Sequence, residues 1–186
     1  MHKKVLSEID TYFGTVDMPK YFEINRSELK SNLLSSVIED KCFKNSFVIS
    51  NPFDYEMLNG KAFTMLNTYL IENFRLKHDI SIVNNFNFGN VFKEKESSIT
   101  KDLIDKQNLS NSPDYTCIYA IDIERYSQQL VIEYPNKRIK ENFLQIDLKN
   151  NEYIIFPSTL KYFFTRNTSN KTNTYLTIAY NIAYIV

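Results

Sequence analysis

Histidine and cysteine, the side chains that most often ligate metals or carry covalent chemistry, are scarce: the 186 residues hold only His2, His78, Cys42 and Cys117. A nucleophilic triad needs a base beside its Ser or Cys. Neither histidine has such a neighbour at a recognised motif spacing. Zinc sites of the CxxC or HExxH kind are excluded by ligand count. Phosphate cradles need closely spaced glycines, whereas Gly14, Gly60 and Gly89 are isolated. Carboxylates remain. Asp122 and Glu124 share one face of an expected strand, with Glu133 on the next. Two acids about 5–10 Å apart on neighbouring strands could act on a glycosidic bond, but acids alternating with apolar residues ordinarily form the solvated face of a sheet. Lys137, Arg138 and Lys140 form a small basic turn. Without an aromatic platform it reads as a solvated loop.

Composition narrows the classes further. Lys and Arg number 22, Asp and Glu also 22, so the chain lacks the charge footprint of a nucleic-acid binder. Apolar residues make up 43%, with 13 Tyr and 14 Phe, enough for a real core at this length. No apolar run approaches the roughly 18–20 residues that span a bilayer, so no membrane partner is expected. The opening MHKKVLSEIDTYF does not resemble a secretory signal, which points to an intracellular chain. Free cysteines fit a reducing compartment. With three glycines in all, asparagine is expected to supply the left-handed turn positions.

The elements that would position any site divide into a helical front, 1–78, and a stranded back, 79–186, read together as one domain. Tyr21–Ile24 reads as a short strand. Asn25 and Glu28 have the spacing of a helix cap with its reciprocal acid. Leu29, Leu33, Val37 and Ile38 then predict a helix over Ser27–Asp40. A second helix is expected from Asn51-Pro52. Met57, Leu58, Met65, Leu66, Tyr69, Leu70 and Phe74 carry it to about Arg75, weakened at Gly60. From Asp79 the period becomes two, predicting a strand that ends at Gly89. Lys93–Pro113 is polar and reads as a long loop with a short helix around Lys101–Gln107. Six strand-like runs follow: Tyr115–Ile123, Gln128–Tyr134, Asn142–Leu148, Glu152–Phe156, Leu160–Arg166 and Asn173–Ile185. Short strands this closely spaced predict a sandwich or barrel.

The last third carries a resemblance. Tyr153-Ile-Ile-Phe156-Pro157-Ser158-Thr-Leu160-Lys-Tyr162, then Asn167-Thr-Ser169, then Tyr175-Leu-Thr-Ile-Ala-Tyr-Asn181 is similar to the end of the 2-oxoglutarate/Fe(II) dioxygenase family. It resembles most the short branch common in tailed phages and marine microbes. The similarity spans roughly Asn51 to Ala183. It implies a mainly β fold with N-terminal helices, a double-stranded β-helix or jelly roll with two helices packed on one sheet. An iron site of this family needs two imidazoles and a carboxylate. By the resemblance the distal His falls on Tyr162, and the Arg that holds 2-oxoglutarate falls on Tyr175. The His-x-Asp motif should lie near Val91–Ser98, which reads VFKEKESS and holds no His. A neutral phenol does not replace a guanidinium opposite a carboxylate.

Tyr175, Thr177, Ala179 and Asn181 share one strand face, which in the family points into the barrel, and Tyr162 should point the same way. Tyr162, Tyr175, Thr177 and Asn181 would therefore fill the former metal cavity, or line a pocket there. The leading expectation is a non-catalytic jelly roll without metal or cofactor. Its role would be structural or protein-interacting, through a protein partner or as a homo-oligomer, in a phage virion or as a phage accessory protein. One alternative is an Fe(II)/2-oxoglutarate hydroxylase with unusual ligands, His78 with Glu94 or Glu96. Another is a metal-free small-molecule binding module. The ending Tyr175–Val186 could offer an adhesive edge strand or pair within its own sheet, and Lys93–Pro113 is the other contact segment.

Overall fold

The computed structural model describes residues 9–16, 26–43, 54–56, 60–75, 80–134 and 142–184. The chain runs through β1 (Tyr12–Thr15), α1 (Arg26–Phe43), β2 (Asp54–Glu56) and α2 (Lys61–Arg75). After these come β3 (Ile80–Phe92), β4 (Tyr115–Asp122), β5 (Leu130–Tyr134), β6 (Asn142–Ile146), β7 (Glu152–Pro157), β8 (Lys161–Phe164) and β9 (Asn173–Tyr184). One antiparallel sheet has six strands in the order β1-β7-β4-β9-β3-β2, and the other has three in the order β6-β5-β8. This is the expected jelly roll with both helices on one sheet.

Strand alternation divides the core in two. Cys117, Tyr119 and Ile121 of β4, Ile155 of β7, and Leu176, Ile178 and Tyr180 of β9 meet Leu29 and Leu33 of α1 and Phe63, Leu66, Leu70 and Phe74 of α2. The intervening residues Ile118, Ala120, Ile154, Phe156 and Tyr175 point the other way, to Leu130, Ile132, Tyr162 and Phe164 of the smaller sheet. The period of two thus assigns each side chain to the helix layer or to the barrel interior.

The second helix begins later than its pattern suggests. Asp54–Glu56 is extended and pairs with Phe88–Asn90 of β3, so cross-strand bonding takes the segment that Pro52 would have suited to a helix start. Gly60 marks the new boundary: Thr64 N donates to its carbonyl at 3.0 Å. Glu28 of α1 accepts from Ala62 N at 3.3 Å, which places an acid at the positive end of α2. Tyr21–Ile24, the Asn25 cap, Met57 and Leu58 lie outside the described residues. Ile38, expected in the buried stripe of α1, is 62% exposed.

Strand β3 also runs three residues beyond Gly89. Gly89 does not end the strand but lets α1 approach it, since a Cβ there would stand 2.0 Å from Leu33 Cδ1. The 101–107 segment is not helical. Leu109–Asn111 instead forms one 3₁₀ turn, and Lys101 bridges to Tyr162 beside β8.

The buried aromatic interior as candidate functional site

The interior between the sheets is built on β8. Tyr162 and Phe164 alternate with exposed Lys161 and half-buried Phe163, so both rings turn inward. Tyr162, Phe164, Phe92 and Phe156 are fully buried and Tyr175 is 1% exposed. Phe164 lies tilted against Tyr175, ring centres 4.4 Å apart, and 5.1 Å from Phe92. Tyr162 meets Phe156 edge-on at 5.6 Å and Phe164 at 6.3 Å. Such offset and edge contacts suit the ring quadrupoles. Five aromatic rings thus pack continuously across the middle of the barrel.

Polar groups sit among them. Thr177 Oγ1 donates to Asn90 Oδ1 at 2.9 Å, both residues fully buried. Lys101 is only 6% exposed, a rare position for lysine. Its Nζ stands 4.4 Å from the centre of the Phe88 ring and 5.9 Å from that of Tyr162, close enough for cation–π attraction. Backbone bonds fix it there: Lys101 N donates to the Tyr162 carbonyl at 2.7 Å and Tyr162 N donates back at 3.1 Å.

The structure brings Tyr162 and Tyr175 together through Phe164, with Thr177 next along the inward face of β9. Asn181 is not part of this group. It pairs with Val83 near the far end of β9 and is half exposed, roughly 20 Å of extended strand beyond Tyr175. Tyr162 stands between Ile132 of β5 on one side and Lys101 on the other. Sequence reasoning missed it because a lysine in a polar run reads as solvated, and only the long-range pairing with β8 reveals its burial.

These groups do not fit a ferrous site. Fe(II) of this coordination class takes imidazole and carboxylate, and Lys101, Tyr162 and Tyr175 supply neither. Among the described residues no three His, Cys, Asp or Glu converge. Glu94 pairs with Lys95 at 3.2 Å, and Glu96 accepts from Lys93 N at 2.6 Å. His78 lies outside the described residues. No described arginine reaches the interior: Arg75 and Arg166 are exposed, Arg125 lies over Tyr126, and Arg26 donates to the Ile121 carbonyl at 3.3 Å.

The acidic trio separates as well. Glu133 belongs to the smaller sheet, between Phe143 and Lys161. Asp122 and Glu124 line a cleft of about 550 Å³ outside the barrel. There Lys30 binds Asp122 at 2.6 Å and Lys171 binds Glu124 at 2.7 Å. That last hydrogen bond holds the Lys171 ammonium above its usual pKa. Each carboxylate is neutralised by its own lysine.

Burial pushes the phenols of Tyr119, Tyr175 and Tyr180 well above their ordinary 10. The folded chain therefore keeps protons that the unfolded chain releases near pH 10. The stability from these neutral phenols is fully present below about pH 10 and is lost as pH rises toward their folded values, at up to about 1.4 kcal/mol per phenol per unit. Urea midpoints are expected to fall steeply above pH 10, with the last phenolate absorbance appearing only on unfolding. Full phenolate titration of the folded chain would contradict this burial.

No family model and no curated protein matches the chain. Solved structures do. A prolyl hydroxylase from Trichoplax adhaerens, in complex with a hypoxia inducible factor oxygen degradation domain peptide fragment, aligns with TM-score 0.64 at 11% identity, covering 92% of this chain and 83% of its own. A prolyl-4-hydroxylase from Pseudomonas putida gives 0.57 at 8%, covering 92% and 87%. A 2OG-Fe(II) oxygenase family oxidoreductase from Burkholderia pseudomallei gives 0.53 at 11%. That alignment covers 69% of this chain and 62% of the oxidoreductase, so the chain spans under two thirds of that protein's length. The fold is that of the 2-oxoglutarate/Fe(II) oxygenases. At such identities the likeness is one of fold.

Proposed function

We propose that this chain is a non-catalytic member of the oxygenase fold, with a structural or protein-interaction role in place of oxidation. The observation that carries this reading is Lys101. Its side chain is buried against Tyr162, where the resemblance calls for metal-binding imidazole, and among the described residues no three His, Cys, Asp or Glu converge. Tyr175 supports it too: raised by burial and then by Asp147, its phenol stays neutral and cannot hold a dianionic co-substrate as guanidinium does. The setting the resemblance implies, a phage virion or phage accessory protein, belongs to the same proposal.

The test is turnover. The purified full chain, given Fe(II), ascorbate, oxygen and 2-oxoglutarate, is expected to release succinate no faster than a protein-free control. Release that saturates with 2-oxoglutarate and scales with protein would overturn the reading.

A further inference from the structure

The cleft outside the barrel owes its form to an irregularity at the end of β4. Up to Ala120 the side chains alternate: Tyr119 packs with the helix layer, Ile118 and Ala120 with the barrel interior. The register of β4 on β9 then shifts between Ala120 and Asp122. Ile121 packs in the helix layer, and Asp122 lies on that side too, bound to Lys30 of α1 at 2.6 Å. Two successive side chains on one side are what a bulge produces, and bulges re-aim side chains beside sites. Ile123 then returns to the barrel core. Side-chain amides pin this segment. Ile123 N donates to Asn150 Oδ1 at 2.7 Å, and Glu124 N to Asn173 Oδ1 at 2.9 Å. Asn173 is itself fully buried and donates to Ser127 and Gln128. The two carboxylates thus sit on a preformed wall.

Unspent bonding capacity of both signs faces the cleft. Lys30 and Lys171 each spend one of three ammonium donors, on Asp122 Oδ2 and Glu124 Oε2. Among the described residues, Asp122 Oδ1 and Glu124 Oε1 accept no hydrogen bond. Half-buried Leu34 and the 8% exposed Ile123 add an apolar strip. No described aromatic ring lines the cleft, so nothing there would stack on a sugar or a base.

We propose that this cleft binds a small zwitterion carrying an ammonium, a carboxylate and an aliphatic side chain, that is, an aliphatic α-amino acid. Charge selects it. A lone anion drawn to the lysines would meet both carboxylates, and a lone cation would meet both lysines. A zwitterion offers its ammonium to Asp122 and Glu124 and its carboxylate to Lys30 and Lys171, so each sign meets its opposite. The aliphatic chain would lie on Leu34 and Ile123. A volume of about 550 Å³ falls within the usual range for small-ligand sites.

Calorimetric titration of the full chain with L-leucine tests it. A dissociation constant below about 1 mM is expected, with N-acetyl-leucine and leucinamide, each lacking one charge, about tenfold weaker. Glu124→Gln leaves the lysines in excess: leucine should weaken about tenfold and N-acetyl-leucine should strengthen. Lys171→Gln leaves the carboxylates in excess, so leucine should weaken and leucinamide should strengthen. Both side chains are solvent-accessible, so circular dichroism and Tm should match wild type. A merely structural ion pair would not exchange the two preferences. No heat with leucine up to about 10 mM, equal binding of the three compounds, or variants that bind as wild type does would overturn the proposal. Because the cleft lies outside the barrel, succinate release would defeat only the non-catalytic reading.

Discussion

Phe164→Ala is expected to lower the unfolding free energy by about 4 kcal/mol, within the usual 3–5 kcal/mol for a buried phenylalanine. The ring is fully buried on a four-residue strand and touches Phe92, Tyr175 and Tyr162. Removing it leaves a void between the sheets that those rings must collapse into. Each ring pair adds about 0.5–1.5 kcal/mol beyond area burial, so little of the loss is recoverable by relaxation. Phe164→Leu, which conserves most of the volume, should cost under about 1.5 kcal/mol. Urea titration reads both as shifts of midpoint at constant slope. A loss below about 1 kcal/mol for the alanine variant would mean a loosely filled barrel and would favour the small-molecule binding reading.

The second large effect is expected at Asn151. Its φ of 74° lies in the left-handed region, where alanine costs about 1–2 kcal/mol. Its side chain accepts from the buried Tyr119 hydroxyl at 2.7 Å and donates to the Val16 carbonyl. Its backbone donates to Ala120 O and accepts from Val16 N, both at 2.9 Å. The residue thus joins the end of β1, the end of β4 and the turn into β7. Asn151→Ala strands a buried phenol, itself worth about 1–3 kcal/mol, so a total near 3–4 kcal/mol is expected. Asn151→Gly removes the backbone strain and should cost less by about 1 kcal/mol. Equal losses for the two variants would show that φ plays no part.

Asn151 also shows what could be read from the sequence. Scarce glycine and abundant asparagine pointed to asparagine at left-handed turns, and Asn151 is one. The same reasoning overlooked that Lys95 and Tyr126 take positive φ as well, and that Gly14 and Gly89 serve close approach to Tyr153 and Leu33. Space around a glycine is set by distant residues and leaves no local mark. Short strand-like runs between turn signals, such as Tyr115–Asp122 and Asn173–Tyr184, were legible to within a few residues. Asp54–Glu56 was not, since its extended form comes from pairing with β3 rather than from its own composition. The resemblance implied that Tyr162 and Tyr175 point inward, and strand parity grouped Tyr175 with Thr177. Lys101 was not legible, because parity is uninformative in a polar segment until its partner strand is known.

The most direct measurement is anaerobic titration of the full chain with Fe(II) and 2-oxoglutarate together, followed by calorimetry and by metal analysis after desalting. An interior packed with Phe164, Tyr162 and Tyr175, with Lys101 against Tyr162, should give no saturable heat and an iron content at the level of a control protein. One equivalent of iron retained per chain, with 2-oxoglutarate binding that depends on it, would contradict the account.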